Sequence, residues 1–141
     1  MNSNHRIRNA TLGVIIGMVL SVWWILMGLD SGFPFQASDP VSYWLTLGEH
    51  RHTIMTILTL FLIPVCALEK KWGFSAAMVL GVVTLALSLG HVVYMVIAET
   101  AGYRSQLFGP LVWSILQIPI VVFGYKARQE LSRKTSIGSG V

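Results

Sequence analysis

Cysteine and charge are what this 141-residue chain has least of: a single thiol, Cys66, and charged residues at only 11%. One thiol excludes an internal disulfide and any CxxC redox chemistry, and its place near the end of an apolar run reads as that of a small buried apolar residue. With hydrophobic residues at 54% and a mean hydropathy of +0.66, an ordinary soluble domain is excluded, and the length suits one domain, residues 1–141. The formal charge is +4, yet the cations gather beside alternate ends of the apolar runs instead of covering one face. A nucleic-acid partner is therefore not expected. No internal repeat is visible either.

What the chain does have is long uncharged runs. Residues 9–29, 52–68, 73–98 and 106–125 each come near the ~20 residues that cross ~30 Å of hydrocarbon as a helix. The fold class this predicts is all-α: a four-helix transmembrane bundle, up-down and antiparallel because the connections are short. Arg6, Arg8, Lys70, Lys71, Lys126, Arg128, Arg133 and Lys134 flank the runs on one side, against Arg51 and Arg104 on the other. By the positive-inside rule both termini are cytoplasmic, in a multi-pass protein of the lipid bilayer, a prokaryotic cytoplasmic membrane. The first run is ~20 residues long without a following small-x-small site, so it reads as a retained span and not a cleaved signal.

Local chemistry adds detail to these spans. Ser38-Asp39-Pro40 looks like a helix start, predicting a short outer interfacial helix before the second span, with a break at Gly48. Pro64 predicts a modest kink. Trp23 and Trp24 suit an interface anchor, and the lone amide Gln117 suits an interhelical hydrogen bond or a carbonyl freed by Pro119. Gly13, Gly17 and Ser21 recur every fourth residue and form a face expected to receive other membrane subunits. Residues 126–141 read as a flexible basic tail touching anionic lipid.

The candidate site lies in the hairpin of spans two and three. Glu49, His52, Thr56 and Thr59 form one polar stripe, and Thr84, Ser88, His91, Met95 and Glu99 another. Counted by helical rise from the Glu69-Lys70-Lys71 connection, His52 and His91 both lie ~25 Å up. Ionisable residues within a membrane are costly, which makes each a functional candidate.

A b-type haem would use His52 and His91 as axial ligands, Gly48 and Gly90 as clearance, and Arg51 and Arg104 against its propionates. A transition-metal site would use Glu49, His52, His91 and Met95, the nitrogen and oxygen ligands suiting zinc or iron and the thioether favouring copper. Alternatively His91 is a neutral buried ring with a hydrogen-bond partner, in a purely structural accessory subunit without cofactor. A small oligomeric proton-coupled transporter would use His91 with Glu49 or Glu99. Whether His50 or His52 faces inward depends on the break at Gly48.

Two small four-span families are set aside on residues. Small multidrug exporters carry an acid in the first span, whereas nothing ionisable lies between Arg8 and Asp30, and quinone-linked disulfide enzymes need paired cysteines. No catalytic residue is assigned. The expected function is a small membrane subunit of a larger complex, of redox or electron-transfer type, more a non-catalytic part of an enzyme complex than an enzyme in itself.

Overall fold

The structure, a computed structural model, describes residues 3–30, 50–97 and 108–138, with side chains over 3–27, 53–97 and 108–135. Those residues form four helices and no strand: α1 (Ser3–Asp30), α2 (His50–Ala67), α3 (Lys71–Ile97) and α4 (Phe108–Gly138). Three of them, α1, α3 and α4, are long and apolar enough to cross a membrane, while the apolar part of α2, Thr53–Ala67, is shorter. Large apolar side chains such as Ile16, Phe61, Val79 and Ile115 remain exposed on them. In a helix without a polar face, such a surface meets lipid.

The connection between α2 and α3 is set by a few backbone bonds. Glu69 N–H donates to Cys66 O at 2.9 Å and Lys70 N–H to Val65 O at 3.2 Å. This pair of bonds is a Schellman motif, which requires a left-handed residue between them. Glu69 supplies it with φ 53°. The chain then reverses directly, and Gly73 N–H donates to Lys70 O at 2.9 Å to begin α3.

Packing is carried by α4. It lies against α1 and α3, and α2 in turn lies against the same two helices. The approach is close because glycines face branched side chains: a Cβ on Gly17 would come 2.9 Å from Ile120 Cγ1, and one on Gly81 2.9 Å from Val121 Cγ2. Adjacent residues of α4 thus reach one neighbour each, and the missing side chains let dispersion contacts form where lipid would otherwise compete. Val14, Met18, Leu62, Cys66, Phe74, Ala77, Ile120 and Ala127 form a core with members from every helix. Cys66 is fully buried in it, as its sequence setting predicted.

Two expectations need correction. Gly13, Gly17 and Ser21 do not offer a free face to another subunit, because α4 of the same chain packs on it: a Cβ at Gly13 would lie 2.5 Å from Phe123 Cγ. Residues 126–138 are not a loose tail but the last turns of α4. Ala127 is fully buried and Leu131 packs on the core. Those turns also carry Glu130, which meets Arg133 at 3.2 Å and Arg6 at 3.8 Å, and Lys134, whose Nζ donates to Asn4 Oδ1 at 3.1 Å. Both α2 and α4 continue as helices through their prolines, Pro64 and Pro119. The expected outer helix lies outside the described residues.

A polar seam as the candidate functional site

The inner face of α3 is a single row. Phe74, Ala77, Gly81, Thr84, Ser88, His91 and Met95 are all buried. Spacings of three and four keep one side of a helix turned toward its neighbours. The first half of the row is apolar or small; the second half is polar. The stripe read from sequence, Thr84 to Met95, is therefore an interior face, with His91 only 5% exposed.

Across from it, α2 buries Met55, Thr59, Leu62 and Cys66. Thr59 satisfies its own hydroxyl by donating to Met55 O at 2.6 Å. Thr84 Oγ1 donates to Met55 Sδ at 3.5 Å, a weak bond that marks a common level on the two helices. Thr56 is half-buried and Met55 takes the more interior place. Ser88 Oγ and Thr56 Oγ1 are buried without a hydrogen-bond partner among the described residues.

The third polar wall joins α1 and α4, and sequence reasoning missed most of it. Ser21 Oγ accepts from Trp113 Nε1 and from Gln117 Nε2, each at 2.9 Å, and the Gln117 amide also reaches Trp113 O at 3.3 Å. Ser114 Oγ donates back to Pro110 O at 2.8 Å. Gln117 thus makes the interhelical bond expected of it. The signal for the remainder was present: Trp113 lies one turn before Gln117, and Ser21 ends the small-residue row of α1.

For the site residues named from sequence, the outcome divides by position. His91 and Met95 share the buried face of α3. Gly90, expected as clearance, is half-buried. Arg51 and His52 lie in the first turn of α2, their side chains outside the described residues, and Glu49, Gly48, Glu99 and Arg104 also lie outside them. Among the described residues, no three His, Cys, Asp or Glu side chains converge as a metal would need. Chemically, the seam offers one imidazole, two thioethers and several hydroxyls in a low-dielectric setting. No family model matches the chain, and neither does any curated protein or solved structure.

Proposed function

We propose that the chain is a four-span subunit of a larger membrane complex, an up-down antiparallel bundle with both termini cytoplasmic, and that it carries a b-type haem for electron transfer at the outer end of the α2/α3 seam. The observation that carries this reading is the burial of His91 within α3, a helix with no charged residue after Lys71. An imidazole there is expensive unless it is used. The antiparallel arrangement is supported by the order in which Ser21, Arg6 and Asn4 of α1 meet Gln117, Glu130 and Lys134 of α4.

His91 and His52 would hold the haem. The buried row of α2, Cys66, Leu62, Thr59 and Met55, extended by three residues, reaches position 52, which favours His52 over His50. Measured from the Met55–Thr84 contact, helical rise puts His91 ~6 Å further along the bundle than His52, and not level with it as the count from the connection gave. Arg51 and Arg104 would meet the haem propionates, and the group supplies one-electron chemistry when bound. A transition metal held by Glu49, His52, His91 and Met95 is the variant of this reading without a porphyrin.

Visible spectra of the purified chain, oxidised and then reduced with dithionite, with metal analysis on the same sample, test this. Sharp reduced bands that vanish in His52→Ala and His91→Ala are expected. A colourless, metal-free sample overturns it. That outcome would support the second reading, a structural subunit without cofactor, which the full burial of Ser88 and near-full burial of Thr84 favour.

A further inference from the structure

The seam between α1 and α4 leaves an apolar groove of about 390 Å³ on the surface of the bundle, lined by Leu12, Gly13, Ile16, Gly17 and Leu20 on one side and Pro119 and Phe123 on the other. Asn9 closes the lining at the basic end of the helices. There Lys126 leans over the Phe123 ring, Nζ 5.5 Å from its centroid. Arg8 stands one helical turn before Leu12, on the row that continues through Ile16. Both cations are exposed.

The carboxylate nearest in sequence to this mouth, Glu130, is held by Arg133 and Arg6. Neither Arg8 nor Lys126 shares an ion pair among the described residues. Beyond the Asn9 end of the groove thus stand two exposed cations without an ion pair among the described residues, contributed by different helices. From Asn9 to Leu20 the groove runs ~16 Å by helical rise, about half the ~30 Å thickness of bilayer hydrocarbon. Its length is that of one leaflet.

We propose that this groove holds one acyl chain of an anionic phospholipid from the bilayer, with the lipid phosphate between Arg8 and Lys126. Charge-assisted bonds from a guanidinium and an ammonium suit a phosphodiester, and the apolar lining from Leu12 to Leu20 suits an acyl chain. The proposal rests on α1 and α4 lying in a bilayer, and not on whether His91 holds a cofactor.

Native mass spectrometry of the full chain in mild detergent, titrated with dioleoyl-phosphatidylglycerol or dioleoyl-phosphatidylcholine, tests it. The first phosphatidylglycerol should bind more tightly than the first phosphatidylcholine. The Arg8→Gln/Lys126→Gln double variant should weaken phosphatidylglycerol roughly thirtyfold and phosphatidylcholine, whose choline cation offsets its phosphate, by much less. Leu12→Trp, at a position 50% exposed and so outside the core, should weaken both lipids by filling the groove. Equal binding of the two lipids by the natural chain would overturn the proposal. So would an equal loss in Lys70→Gln/Lys71→Gln, which removes the same charge from the same end away from the groove, or unchanged binding in Leu12→Trp.

Discussion

The indole of Trp113 donates to the hydroxyl of Ser21 at 2.9 Å, tying α4 to α1 across 92 residues of sequence. Both groups are buried, and Gln117 Nε2 shares the same acceptor. Replacing Ser21 with Ala keeps the small volume but removes the oxygen. The expected loss is roughly 1–2 kcal/mol, between the usual penalty for a buried donor without its acceptor and the smaller values of interhelical bonds in lipid. Reversible unfolding in mixed micelles measures it, and an unchanged midpoint would remove this contact from the forces holding the bundle.

The two glycines at the core on α1 and α4 should respond unequally. Gly17→Leu drives a branched side chain into buried Ile120, whose Cγ1 already lies 2.9 Å from an ideal Cβ. Overpacking of this kind costs about 1–3 kcal/mol. Gly124→Ala instead meets Met78 Cγ at 2.8 Å, on a flexible side chain. The Met78 side chain must shift to make room, and the gain in helix propensity, about 1 kcal/mol, should offset much of that cost, leaving Gly124→Ala less destabilised than Gly17→Leu. Melting of both variants in one detergent gives the comparison.

Glu69 occupies a left-handed conformation, φ 53°, that a side chain resists. The Schellman bonds on either side leave the backbone no other course. Glu69→Gly is expected to raise stability by up to about 1 kcal/mol, since glycine enters that region without a Cβ penalty. Loss of stability in the same unfolding assay would mean that the Glu69 side chain itself holds the turn.

Glu130 is mostly buried at the side chain, 15% exposed, while Arg6 and Arg133 are about half exposed at 48% and 58%. With both arginines about half in solvent, these pairs are screened and contribute little. Glu130→Gln should lower stability by less than about 1 kcal/mol, and by less still as salt is raised. A larger loss that persists in high salt would contradict a screened surface pair.

The row Thr84, Ser88, His91 and Met95 was legible in sequence because few polar residues interrupt α3, and helical spacing places them on one side. On α2 the same logic named Thr56 and Thr59, and Thr59 is buried. The centre of the buried face, however, falls on Met55, whose flexible thioether fills the seam. The small residues of α1 announced a close helix approach but not its partner. Cations and serines made residues 126–138 read as solvated, although Ala127 and Leu131 continue the row of Ile120 and Gly124 at helical spacing. Trp113 was hidden for the opposite reason: a tryptophan near a span end resembles an interface anchor until a buried acceptor is found for its N–H.

The amino-acid sequence by itself determined that apolar helices meet lipid, where the basic ends lie, and which face of α3 turns inward. Each of these follows from composition and from a period of 3.6 residues. Only the tertiary structure decided that α4 packs between α1 and α3 and that Ser21 serves Trp113 and Gln117. Lipid tails are as apolar as leucine, so hydropathy cannot choose among neighbours in a bilayer. The choice rests on shape and on buried donors, on Ile120 seated over Gly17 and one hydroxyl accepting from two side chains, and these relations exist only once the helices have met.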